Sequence, residues 1–149
     1  MIQNPILPGF HADPCICRKG DDFYIAVSSF EWFPGIPIYH SKDMKNWELY
    51  SHALTNAEDP DLKKLPSAKG IWAPCLTYCE ADDLFYVVYG VMNSMNARYF
   101  DVDNYLITAK DLRGPWSELC AAPGVNRFIF ILPVLTLLCS MMMTAKNIL

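Results

Sequence analysis

Lys19-Gly20-Asp21-Asp22-Phe23-Tyr24-Ile25-Ala26-Val27 decides the fold, because a turn of Gly and Asp runs straight into aromatic and β-branched residues, and the pattern occurs twice. The second copy is Glu80-Ala81-Asp82-Asp83-Leu84-Phe85-Tyr86-Val87-Val88-Tyr89. Upstream, Asp13-Pro14-Cys15-Ile16-Cys17 precedes the first turn as Ala73-Pro74-Cys75-Leu76-Thr77-Tyr78-Cys79 precedes the second. Downstream, Tyr39-His40-Ser41-Lys42-Asp43 with Trp47-Glu48 corresponds to Ile107-Thr108-Ala109-Lys110-Asp111 with Trp116-Ser117-Glu118. Two units of about 60 residues, each of roughly four short strands, read as all-β blades of a β-propeller, whose repeats bury their faces only against neighbours. Two blades cannot close a ring.

The 149 residues are 52% apolar, enough for one ordinary core. Net charge is −4 and no stretch is basic, which argues against a nucleic-acid footprint and against an anionic-membrane patch. A neutral small molecule is the expected partner. Met1-Ile2-Gln3-Asn4-Pro5 lacks the charged and apolar regions of a secretory signal, so a cytoplasmic product is expected. Cys15, Cys17, Cys75, Cys79, Cys120 and Cys139 form no C-x-x-C pair, which favours reduced thiols. Zinc on Cys15, Cys17, Cys75 and Cys79 fits no zinc spacing, and small side chains on strands explain them better. His11, His40 and His52 show no metal-ligand spacing either. Neither a metal site nor an organic cofactor is expected.

After Glu118 the character changes. From Phe128 to Ala145 there is no charge, and Phe128-Ile129-Phe130-Ile131-Leu132-Pro133-Val134-Leu135-Thr136-Leu137-Leu138 is almost wholly apolar. As a membrane anchor the run is near the lower limit of roughly 17 to 25 residues, contains Pro133 and has little flanking positive charge. The genetic code offers a better reading. Met141-Met142-Met143 followed by Thr144 forces Asp-Asp-Asp when the same nucleotides are read two positions later. With permitted codon choices, Pro133 to Leu149 then gives G-F-D-A-S-L-F-H-D-D-D-G-K-K-Y-L, a third blade opening. Cys120 to Val134 can give R-G-P-W-S-E-P-V-Y-L-H-S-A-G-F, which repeats Arg113-Gly114-Pro115-Trp116-Ser117-Glu118. A short tandem duplication that shifts the frame explains both. Residues 1–118 are therefore expected to be the propeller part, and residues 119–149 a frameshifted, aberrant apolar tail with no native fold.

Three ordered motifs carry a family resemblance. They are Asn4-Pro5-Ile6-Leu7-Pro8-Gly9-Phe10-His11-Ala12-Asp13-Pro14, then Ser28-Ser29-Phe30-Glu31-Trp32-Phe33-Pro34-Gly35 leading into Tyr39-His40-Ser41-Lys42-Asp43, and Gly70-Ile71-Trp72-Ala73-Pro74. Over Asn4 to Glu118 the chain resembles the N-terminus of glycoside hydrolase family 43, in its β-xylosidase/α-L-arabinofuranosidase branch. The resemblance implies the first two blades of a five-bladed propeller that cleaves terminal xylose or arabinose with inversion. It implies Asp13 as the general base; a turn-forming Asp-Pro at a strand start is the bland alternative. Phe30 and Trp72 match positions that wall the sugar subsite, although an aromatic in a strand usually packs in the core. Glu31 is given no acid role. Ala12 stands where Pro is usual and Cys15 where Ser is frequent, and neither departure touches Asp13.

Inverting hydrolysis needs a second, protonated carboxyl group roughly 6.5 to 9.5 Å from the base. The family takes that Glu from a later blade, and takes from the third blade an Asp that tunes its pKa. In the shifted frame G-F-D-A-S supplies this Asp, where the chain has Leu135 and Thr136; the Glu is absent. The chain is thus expected to be an inactive fragment of an enzyme acting on xylo-oligosaccharides or arabinosides. The rival reading is a non-catalytic sugar-binding or interaction module of two blades with an apolar C-terminal anchor. Continuation of the shifted frame downstream would separate the two.

Overall fold

Asp- and Gly-rich turns between runs of aromatic and β-branched residues produce eight strands in the computed structural model, which describes residues 4–56, 60–96 and 99–121. They are β1 (Cys15–Lys19), β2 (Asp22–Ala26), β3 (Gly35–Ser41), β4 (Glu48–Leu54), β5 (Gly70–Cys79), β6 (Leu84–Asn96), β7 (Tyr99–Ala109) and β8 (Cys120–Ala121). Each set of four forms an antiparallel meander, ordered β1-β2-β3-β4 and β5-β6-β7-β8. These are the two expected blades. A short 3-10 turn, Leu62–Lys64, lies between them, with Asp61 accepting from the Lys63 amide at its start.

Alternation along the strands assigns the faces. On one face of blade 1 the register aligns Cys17 with Tyr24 and Ala26 with Ile38. On blade 2 it aligns Leu76 with Val87 and Val87 with Ile107. All seven belong to one buried cluster spanning both sheets, and the Tyr24 and Phe85 rings meet across it at 5.8 Å. The Ser51 hydroxyl donates to the Leu112 carbonyl at 2.6 Å on the same seam. The core is therefore the blade-to-blade interface, as repeat packing requires.

The hairpin of β6 and β7 is longer than its counterpart in blade 1. Pairing continues past Val88↔Leu106 through Gly90↔Asn104 to Asn96↔Tyr99. Gly90 permits this, since a Cβ there would lie 2.9 Å from Val102 Cγ1. Among the described residues no helix is long and apolar enough to cross a membrane. The apolar run from Phe128 and the rest of the expected tail from residue 122 lie outside the described residues.

Candidate active site

Asp13 stands two residues before β1, with φ +50°, in the left-handed region that Asp tolerates better than most residues. Its Oδ2 accepts from the Ser28 hydroxyl at 2.7 Å. Ser28 is buried just beyond the end of β2, and its own amide donates to the Ala12 carbonyl at 3.0 Å. The Ser28 hydroxyl also accepts from the Ala73 amide of β5 at 2.8 Å. One serine thus joins the opening of blade 1 to the inner strand of blade 2.

Phe30 and Trp72 are carried to the same place. The backbones of Phe30 and Ile71 exchange two hydrogen bonds, of 3.0 and 2.9 Å, which bridge the blades. That approach depends on Gly70: its φ is +96°, and a Cβ would sit 2.3 Å from the Phe30 carbonyl oxygen. The Phe30 and Trp72 rings lie 6.1 Å apart, edge to face. Phe10 and Trp32 complete a cluster of four, with Phe10 at 5.6 Å from Phe30 and 5.7 Å from Trp32. Phe10 is 63% exposed and Trp32 58%, while Phe30 and Trp72 are half-buried, so the cluster opens to the surface at Phe10 and Trp32. The Trp72 indole N–H is buried with no acceptor among the described residues.

Strained backbone collects here. Asp13, Phe30, Ile36 and Ala73 all have φ between +47° and +53°, costly for residues with a Cβ and most of all for β-branched Ile36. Hydrogen bonds hold these turns: Ser29 Oγ accepts from the Ile36 amide at 3.1 Å, as Ser28 Oγ does from Ala73. Of the residues expected from the sequence, Phe30 and Trp72 are in ring contact, and Asp13 is linked through Ser28 to Ala73, the neighbour of Trp72. Sequence reasoning missed Ser28, Phe10 and Trp32, although all three lie inside the motifs quoted above.

Glu31 faces away from acid chemistry. Its carboxylate accepts from the Ala68 amide at 3.1 Å and from the Ser67 hydroxyl at 3.2 Å, and the Ala68 amide above all lowers its pKa. Cys15 and Cys17 sit within the blade seam. Cys17 is in the core, where burial first and then the neighbouring Cys15 push its thiol up to about 12. A hydrogen bond with Cys75, followed by burial, raises Cys15 further. Among the described residues no group of three or more His, Cys, Asp or Glu side chains is placed to hold a metal ion.

The sequence model of Glycosyl hydrolases family 43 matches residues 2–128. The chain belongs to this family. It is 48% identical over 117 residues to a beta-xylosidase of Bacillus subtilis, covering 78% of this chain and 22% of that protein. It is 45% identical over 121 residues to a non-reducing end alpha-L-arabinofuranosidase of Bacteroides ovatus, covering 78% and 21%. A xylan beta-1,4-xylosidase from Bacillus halodurans superposes with a TM-score of 0.77 at 49% identity, over 81% of this chain and 23% of that one. The family 43 chain thus spans about a fifth of the length of these relatives, and its two sheets are two blades of the family's five-bladed propeller.

Proposed function

We propose that this family 43 chain is the opening part of an inverting glycosidase that removes terminal xylose or arabinose from oligosaccharides, with Asp13 as the general base. One observation carries the reading: through Ser28, Asp13 of blade 1 is tied to Ala73 of blade 2, which adjoins Trp72 and follows by two positions Ile71, the residue bridged to Phe30. This reading sets the carboxylate beside an aromatic wall to which blade 1 gives Phe10, Phe30 and Trp32 and blade 2 gives Trp72. The Asp13 carboxylate would take a proton from a water as that water attacks the anomeric carbon, while Phe30 and Trp72 pack on the C–H faces of the sugar. The leaving oxygen would take its proton from a carboxylic acid roughly 6.5 to 9.5 Å away. Relatives named as a beta-xylosidase and as an alpha-L-arabinofuranosidase match at 48% and 45% identity, and both sugars fit the reading.

The 149-residue polypeptide alone offers the base without that acid and is expected not to hydrolyse aryl xylosides or arabinofuranosides. Turnover by the purified polypeptide that disappears on Asp13→Ala would overturn this. In a full-length enzyme whose frame is restored after Glu118, Asp13→Asn should lower the rate by about 10² to 10⁴. Unchanged activity in that variant would remove Asp13 from the role.

A further inference from the structure

We infer that Ser28 is a positioning residue for Asp13, fixing one carboxylate oxygen of the base and leaving the other to meet water. The inference rests on the reading of Asp13 as the base.

A serine hydroxyl has one proton and two lone pairs. The Ala73 amide, 2.8 Å away, occupies a lone pair, and the proton is then directed at Asp13 Oδ2, 2.7 Å away. The serine itself cannot drift: it is 4% exposed, and its backbone amide is held by the Ala12 carbonyl. A short Asp side chain with one oxygen pinned has lost its freedom to rotate about the bond to the carboxyl group. Its Oδ1 is left as the oxygen that points consistently at a reactant.

The repeat explains where the support comes from. Asp13-Pro14-Cys15 and Ala73-Pro74-Cys75 are equivalent positions of the two blades, and Asp13 and Ala73 share nearly the same left-handed φ, +50° and +47°. The first blade uses this turn to present a carboxylate, and the second uses it to aim a backbone N–H at the serine that holds that carboxylate. Neither contact is available to alanine at position 28. Threonine keeps both, and cysteine keeps both weakly.

Two readouts test the assignment. In the isotope-labelled 149-residue chain, the Asp13 carboxyl carbon resonance, identified by its loss in Asp13→Asn, should shift in Ser28→Ala and return toward its original position in Ser28→Thr. In the frame-restored enzyme, Ser28→Ala should lower kcat roughly 10- to 100-fold with KM within about twofold, since misplacement by about 1 Å costs on that order. Ser28→Thr should recover most of the rate and Ser28→Cys part of it, and this series decides the matter if the alanine variant does not fold. An unmoved carboxyl resonance overturns the assignment. So does undiminished kcat in Ser28→Ala where Asp13→Asn has lost activity, which leaves the base intact. Full activity in Asp13→Asn instead overturns the base and the inference together.

Discussion

Ile16 and Leu76 hold the same position in successive blades, yet Ile16 is 54% exposed and Leu76 1%. Ile16 pairs with Ile25, Ile25 with Tyr39 and Tyr39 with Leu49, making an apolar row across blade 1. Leu76, Val87 and Ile107 make the equivalent row in blade 2, and blade 1 covers it. Leu76→Ala should therefore cost about 2 to 5 kcal/mol, as a cavity in a packed core does. Ile16→Ala should cost less than about 1 kcal/mol. Denaturant unfolding of the two variants measures both, and equal losses would contradict this packing.

Gly70→Ala should be far worse than Gly20→Ala. Both glycines have positive φ, but a Cβ at Gly20 meets nothing within 4 Å, whereas one at Gly70 would be 2.3 Å from the Phe30 carbonyl oxygen. Gly20→Ala bears only the left-handed cost of about 1 to 2 kcal/mol. Gly70→Ala adds the loss of the Phe30–Ile71 bridge, so amide exchange at Phe30 and Ile71 should accelerate in that variant alone. Similar stabilities and intact protection in both would contradict the close approach.

Stability should fall on acidification in two stages. Burial lowers the pKa of His52, so the unfolded chain protonates first and stability is lost as pH drops below about 6.5. Asp22 is lowered by hydrogen bonds from Lys42 and then His40, and Asp43 by the amides of Asn46 and Lys45. Their contributions are present above the unfolded value of about 3.9 and disappear as pH falls through their lower folded values. His52→Gln should flatten the upper stage and Asp43→Asn the lower, in unfolding midpoints followed from pH 8 to pH 2, roughly the span of these groups. A profile unchanged by either substitution would count against these assignments.

The sequence made the blades readable because a doubled Asp turn before aromatic strands occurs twice, but not the exact alignment: the turns match Ile25 with Tyr86, whereas the ladders match it with Val87. The length of the β6–β7 hairpin was not readable. Gly90, Asn93 and Ser94 interrupt any strand pattern, and only the ladder with β7 shows that Gly90 and Ser94 are paired, with the register shifting at Asn93. In the site, Asp13, Phe30 and Trp72 came from motif resemblance. Ser28 did not, because its importance lies in two partners, 15 and 45 positions away, that no local pattern reveals.

The 149-residue polypeptide is expected to associate head to tail. Thr77, Tyr86, Val88 and Leu106 on the far face of blade 2 are register equivalents of Cys17, Tyr24, Ala26 and Ile38, the side of blade 1 that packs on blade 2. The Ile16 row of blade 1 is the equivalent of the surface they pack on. Each copy so carries both halves of an interface it already makes once internally, which is a heterologous contact able to propagate. The uncharged stretch from Phe128 to Ala145 adds an aggregation hazard interrupted once, by Pro133. Sedimentation should be compared for the whole polypeptide and for a version cut after Ala121, which keeps β8. Association that persists in the cut version and weakens with Ile16→Lys or Leu49→Lys would place the contact on the blade faces. Association lost on cutting would place it in the tail. A soluble monomer of all 149 residues, unfolding cooperatively with protected strands, would show that two blades with this tail need no further cover.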